Sequence, residues 1–226
     1  GGQALDKFQK VQHSSRMLSL NDVFARDDVE AWLTRMDKLI PGATPEFFMD
    51  VKKDGLACAL VYEDGVLTQA LTRGDGFIGG EVTGNVRTIK NVPLRLQTAP
   101  GYEQFLQGRT EVRGEIVMYK KDFEALNKQR KAAGQPAFAN PRNLAAGTIR
   151  QLDPGLVAAR PLRFLAYDLL RNDAAEVPSN SYAYPALSAL GFAGADLAQT
   201  VKSLDVVTQI IDDWDERRHE LPFNTD

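Results

Sequence analysis

Two β-favouring runs, Leu56–Tyr62 and Val66–Thr72, flank a turn that contains Asp64-Gly65. Asp-Gly between such runs is a strong signal for an antiparallel hairpin. It commits the middle of the chain to a sheet whose further strands must come from distant sequence. Glu111–Tyr119 and Leu162–Leu170 are the candidates, and Phe47, Met49 and Val51 alternate with Phe48, Asp50 and Lys52 in a period of two. Helical signals surround these runs. Residues 4–40 read as a mostly helical entry segment, with Asp22, Asp27 and Asp28 at helix starts. There Val29, Trp32, Leu33 and Met36 recur at the spacing of a half-buried helix, until Pro41, Gly42 and Pro45 break the chain. A helix is expected over Asp122–Lys131, and a second behind Asn140 as N-cap with Pro141 in its first turn. A last one covers Ser203 to Arg218, with Leu204, Val207, Ile211 and Trp214 on one stripe. Strands and helices mix without regular alternation, which predicts an α+β fold with mainly antiparallel sheets flanked by helices. One domain is expected, with residues 1–45 as entry segment and 46–226 as core.

Composition narrows the function classes. Hydrophobic residues make up 43% of the 226 and charged residues 25%, the balance of an ordinary globular chain. Cys58 is the single cysteine, so an intramolecular disulfide and a four-cysteine zinc site are excluded. His13 and His219 are the only histidines, which excludes a histidine-rich metal site. No apolar run approaches the ~20 residues of a membrane helix, and no signal-peptide pattern opens the chain. The net charge of −3 argues against a purely electrostatic DNA coat but leaves local basic patches open.

Four blocks carry chemistry. In Asp50-Val51-Lys52-Lys53-Asp54-Gly55, strand alternation would put Asp50, Lys52 and Asp54 on one face and Lys53 on the other. A solvated ion pair is the plain reading, and a nucleophilic lysine the sharper one. The amine must be neutral to attack while two carboxylates favour the ammonium, so some cation, or the loss of those charges into metal and ribose contacts, has to offset them. Thr72-Arg73-Gly74-Asp75-Gly76 reads as a tight turn, or as a close backbone approach to something. In Glu111-Val112-Arg113-Gly114-Glu115 the three charged residues share one face, which suits an ordinary solvent face. Gly114 hints at close packing within that strand. Finally, Asn140–Asp153 places Ala145-Ala146-Gly147 in a helix. Arg142 and Arg150 lie about 80° apart around its axis, two arginines for phosphate near a helix N-terminus or two solvated ones.

The order of these blocks is specific where each alone is weak. K-x-D-G, R-G-D-G, E-x-R-G-E and N-P-R-N-x-A-A-G-x-x-R-Q-L-D, preceded by Met17-Leu18-Ser19-Leu20, resemble the bacterial NAD-dependent DNA ligases from about His13 to Asp226. ATP-dependent DNA ligases and mRNA-capping enzymes share the first and third blocks but lack the other two. The resemblance implies the adenylation (nucleotidyltransferase) domain, with a covalent-nucleotidyltransferase, ATP-grasp-like fold. It implies that Lys52 attacks the α-phosphorus of NAD to give lysyl-AMP, whose AMP passes to a DNA 5′-phosphate before the nick is sealed. Asp54 and Glu115 match acidic residues that contact ribose or support magnesium. Asp50 matches an acid, usually Glu, that recognises the adenine amino group, and Tyr167 the aromatic that stacks on adenine. Ser19 and Leu20 match pocket-lining residues, and Arg73 one on the DNA-facing surface. Arg142, Arg150 and Arg218 match three functional arginines.

NAD and magnesium are the implied small partners, nicked duplex DNA the macromolecular one, and a bacterial cytoplasmic, nucleoid-associated monomer the implied state. Two residues depart from the family pattern: Gly80 where an acid is usual, and Asn224 where an acid usually precedes a D-G-V-V-x-K motif. The chain reads as an excised adenylation domain, ending before that motif's lysine. The nicotinamide-side domain, OB-fold, zinc finger, helix-hairpin-helix and BRCT modules would then lie outside it. Such a piece is expected to bind adenine nucleotides or adenine-like inhibitors without ligating. An ATP-using nucleotidyltransferase such as an RNA ligase, and a non-enzymatic interaction domain, are the competing readings.

Overall fold

A computed structural model describes residues 8–98 and 100–226. Its centre is a four-stranded antiparallel sheet in the order β4-β3-β6-β7, formed by β3 (Leu56–Glu63), β4 (Val66–Thr72), β6 (Arg109–Met118) and β7 (Leu162–Arg171). The β3–β4 hairpin closes where the sequence places it. Glu63 pairs with Val66, and Asp64 and Gly65 both take positive φ, at 49° and 73°. A primed two-residue turn needs this, and its twist matches that of the strands. Two small ribbons complete the strands. β1 (Lys10–Gln12) pairs with β5 (Ile78–Gly80), and β2 (Phe47–Met49) pairs with β8 (Gln199–Val201).

The two faces of the sheet have different fates. One packs into the main core, where Cys58, Leu60, Tyr62, Val112, Ile116 and Phe164 meet side chains of α4 (Pro141–Ile149) and α6 (Asn180–Ala189). Three short or peripheral helices border this core: α2 (Thr83–Val86), α3 (Lys120–Ala132) and α5 (Pro154–Ala158). Asn85 fastens α2 to the end of α4 by donating to the carbonyls of Ile149 and Gln151, each at 2.7 Å. The start of α4 follows its sequence signal, since the Asn140 side chain accepts from the Asn143 backbone N–H at 2.7 Å with Pro141 in the first turn. The other face carries a smaller cluster of Val117, Leu165, Leu221 and Phe223, joined by Trp214 from α7 (Leu204–Arg217).

Gly114 marks a close approach of β6 and β7. A Cβ there would lie 2.5 Å from both the Leu165 carbonyl oxygen and the Phe164 ring. Next to it the ladder slips. Arg113 faces Asp168, but Gly114 faces Ala166, so Tyr167 has no partner across the strand. A bulge of this kind turns a side chain away from the regular alternation.

Several expectations are corrected. The entry segment is not mostly helical: it holds β1 and an extended stretch, and only Arg26–Leu39 (α1) is helical, while residues 4–7 lie outside the described residues. Ala25 is the N-cap, and Asp28 rather than Asp22 or Asp27 closes the helix start, accepting from the backbone N–H groups of Phe24 and Ala25. Of the expected half-buried stripe, Val29, Leu33 and Met36 are half-buried, and Trp32 is exposed. On α7 Val207 is buried but Ile211 is exposed. Glu111 and Arg113 do not form a solvent face. Both are buried, because the segment Ser14–Met17 lies over them: Arg113 donates to the carbonyls of Ser15 and Arg16, and Ser14 to Glu111. Arg109 and Arg113 clasp Glu111 from two sides and hold its carboxyl below the usual range against the opposing effect of burial.

Candidate active site

The second face of the sheet floors a cavity of about 580 Å³, within the range of sites that take nucleotide-sized ligands. Alternation on β6 directs Arg113 and Glu115 to this floor, with Ala57 of β3 opposite Glu115. Tyr167 and Asp168 both reach the cavity although they are neighbours in sequence. A regular strand would send them to opposite faces, and the bulge at Tyr167 is what allows both. The walls come from the Met17–Leu20 segment, the Asp50–Lys53 segment, Arg73 behind the β4 turn, and Asn180 and Tyr184 of α6.

Seven of the residues singled out in the sequence therefore converge here: Ser19, Leu20, Asp50, Lys52, Arg73, Glu115 and Tyr167. Arg73 donates to Ser19 Oγ at 3.0 Å, while its Nε is buried with no partner among the described residues. The glycines after it serve the turn, Gly74 at φ 58° and Gly76 at φ 91°, while Asp75 accepts from the backbone N–H groups of Phe77 and Ile78. Burial pushes the Glu115 carboxyl up to about 7, against the lowering influence of Arg142 and the Gly55 N–H. Burial also raises the Tyr167 hydroxyl, which stays neutral and leaves its ring as an apolar face.

Of the remaining predicted residues, Asp54 and Arg142 pair close to Lys52 in the chain and Arg218 shares a cavity with it, whereas Arg150 lines neither cavity. Asp54 accepts from Arg142 Nη1 at 3.2 Å. Arg142 lies in the first turn of α4, but Arg150 is its C-cap and exposed. The two arginines thus do not share the helix N-terminus, because nine residues of helix separate its ends. Arg218 lines a second cavity of about 590 Å³, together with Trp214, Asp215 and Asp226. Lys52 lines both cavities.

The Asp50–Lys53 stretch departs from its expected parity. It is not a regular strand: β2 ends at Met49, and the stretch is held instead by the chain's last residues. Asp54 N donates to Asn224 O, and Asp226 N to Lys52 O, both at 2.9 Å. The Lys52 ammonium then meets the Asp226 carboxylate, and its side chain is 46% exposed. Lys53 turns the other way, 2% exposed, but the carboxylate it meets is Asp50. Asp50 therefore pairs with Lys53 and not with Lys52. Asn224 contributes a backbone carbonyl to this pairing, so the departure from an acid there leaves it intact. A Cβ at Gly80 would find nothing nearer than Thr72 Oγ1 at 3.5 Å, so packing does not demand glycine at that departure.

Sequence reasoning passed over Asp168, Asn180, Tyr184 and Asp226. Each reaches the site through contacts far apart in the chain, and the bulge that admits Asp168 has no local signature. As for bound groups, the cavity's size, its aromatic face and the unpartnered donor of Arg73 suit an adenine nucleotide. Among the described residues no group of three or more His, Cys, Asp or Glu side chains is gathered for a metal. Asp54 and Glu115 fit magnesium only in the manner of one or two carboxylates completed by phosphate oxygens and water.

Comparison with known proteins gives the chain's family. Residues 5–226 match the family model described as the NAD-dependent DNA ligase adenylation domain. The chain is 43% identical over 227 residues to a DNA ligase of Thermomicrobium roseum, which covers 100% of the chain and 32% of that protein. It is 40% identical over 231 residues to a DNA ligase of Chlorobaculum parvum, covering 100% of the chain and 34% of that protein. A DNA ligase 1 of Nitratidesulfovibrio vulgaris is 48% identical over 167 residues, 74% of the chain and 24% of that protein. The chain thus spans about a third of the length of the first two relatives. With a match over nearly all of its residues, the chain belongs to the NAD-dependent DNA ligase adenylation domain family.

Proposed function

We propose that this chain, a single domain over residues 1–226, is the adenylation domain of an NAD-dependent DNA ligase and adopts the nucleotidyltransferase fold. The observation that carries this reading is the place of Lys52. It stands at the edge of a cavity that gathers an aromatic face, carboxylates and a buried arginine donor from separate parts of the chain. Tyr167 stacks on adenine, Asp50 accepts from its amino group, Glu115 contacts the ribose, and Ser19 and Leu20 close the pocket. The Lys52 amine, having lost its proton, forms a bond to the α-phosphorus of NAD. The bond from that phosphorus to the bridging oxygen breaks, and nicotinamide mononucleotide leaves with the electron pair. Arg142 and Asp54 orient the phosphate and ribose side, while Arg150, Arg218 and Arg73 serve phosphate and DNA contacts. Magnesium, held by Asp54 and Glu115, would supply positive charge beside the phosphate when bound. The AMP then passes to the 5′-phosphate of a nick in the whole ligase, acting in the bacterial cytoplasm as a monomer.

The test is the choice of nucleotide. In the presence of magnesium, the whole ligase should gain the mass of AMP from NAD and not from ATP, and should seal nicked duplex with NAD as its only nucleotide. Adenylation by ATP in place of NAD would overturn the reading. The 226-residue chain alone should leave the nick open even with NAD and magnesium, since orientation of the leaving group is a large part of such catalysis.

A further inference from the structure

The buried residue Lys53 is not used in the reaction set out above. Lysine is among the residues almost never fully buried unless paired, and an ammonium withdrawn from water carries a heavy desolvation penalty. Lys53 is 2% exposed nonetheless, at the wall of the first cavity, between the nucleophile position and Asp54. Its ammonium donates to Asp50 Oδ2, and the same oxygen accepts from the Tyr184 hydroxyl at 2.7 Å. The other oxygen, Oδ1, accepts from the backbone N–H of Val51 at 2.8 Å. An ionised carboxylate offers about four acceptor sites, so three are engaged and one is left for a ligand. The three donors converge from different directions, and together they leave the Asp50 side chain little freedom to rotate. Asp50 is shorter by one methylene than the glutamate usual at this position, so it depends more on such support to present an oxygen at a given point.

We infer that Lys53 is a positioning residue: with Tyr184 it holds Asp50 so that its one free acceptor site meets the 6-amino group of a purine in the cavity. This rests on the adenine-pocket reading above. It gives Lys53 a role in selecting the base, whereas Lys52 carries the covalent chemistry.

Purine riboside, which is adenosine without the 6-amino group, separates the possibilities. Calorimetry with the 226-residue chain should show adenosine preferred over purine riboside by about tenfold or more, the scale of a hydrogen bond to a charged group. In Lys53→Met that preference should collapse towards one, with purine riboside binding nearly as in the parent chain. Asp50→Asn should lose the preference too, and the double substitution should be no worse than either single one. Should Lys53→Met fail to fold, Lys53→Gln is read in its place and should at least halve the preference. An undiminished preference in the Lys53 variant overturns the inference while leaving the pocket reading intact. Equal weakening of both ligands, the mark of a general packing defect, would leave the ratio unchanged and would overturn the inference likewise. Failure of the parent chain to bind either nucleoside would instead overturn the pocket reading on which the inference rests.

Discussion

Glu115→Gln should stabilise the chain above neutral pH and flatten its stability profile. The Glu115 carboxyl lies against the sheet floor, where burial pushes it up to about 7 from its ordinary value of 4.5, against the pull of Arg142 and the Gly55 N–H. The sign is the reverse of that for a salt-bridged carboxylate. Between pH 4.5 and about 7 the folded chain holds a proton that the unfolded chain has released, so stability falls as the pH rises through this window. Below pH 4.5 the group is protonated in both states and costs nothing; above about 7 its full penalty is present. The rise from 4.5 to about 7 corresponds to an upper bound of ~3.5 kcal/mol, and partial solvation of the cavity reduces it to about 1–3 kcal/mol. Glutamine keeps the shape and carries no charge. Urea unfolding from pH 4.5 to 8.5 in chelator should give curves that coincide at the acid end and diverge by that amount at the alkaline end. Parallel curves, or a variant less stable than the parent at pH 8, would refute the placement of Glu115 in a poorly solvated floor.

Three further outcomes follow from named contacts. Tyr167→Ala should weaken adenosine binding by ~1–3 kcal/mol while Tyr167→Phe stays near the parent, by calorimetry, since the ring face and not the hydroxyl does the stacking. Gly114→Ala should destabilise the chain by about 2–3 kcal/mol in urea titrations, because its Cβ meets a backbone carbonyl that cannot move without opening the β6–β7 ladder. Arg113→Met should cost about 3 kcal/mol, since it leaves the buried Glu111 carboxylate with only part of its clasp.

What was legible in the sequence was local. Asp64-Gly65 marks its hairpin because few residues tolerate two successive positive φ angles, and Asn140-Pro141 marks the start of α4 because the cap and the missing proline N–H suit the same turn. On α1 the periodicity held for Val29, Leu33 and Met36, which are half-buried, but misled at exposed Trp32, since spacing records which residues could be buried but not whether a partner lies against them. Glu111 and Arg113 misled in the opposite direction: charges in alternation look solvated until a distant segment, Ser14–Met17, covers and pairs them. At the site, the four blocks hold Lys52, Asp50, Glu115 and Arg73, the family resemblance adds Tyr167, and these do line one cavity. Strand parity does not hold across Asp50–Lys53 because β2 ends at Met49 and the stretch is not a regular strand. The actual conformation is set by Asn224–Asp226, about 170 residues away, through bonds that no local pattern could announce.

The central claim is that Lys52 is the residue that becomes adenylated. Lys53 also lines the cavity, but it is buried against Asp50, whereas Lys52 is 46% exposed at the edge shared by the two cavities. Tandem mass spectrometry of the whole ligase after incubation with NAD and magnesium should place the AMP on Lys52, with the adduct abolished in Lys52→Ala and retained in Lys53→Ala. An adduct on Lys53, or one that survives Lys52→Ala, would contradict the account.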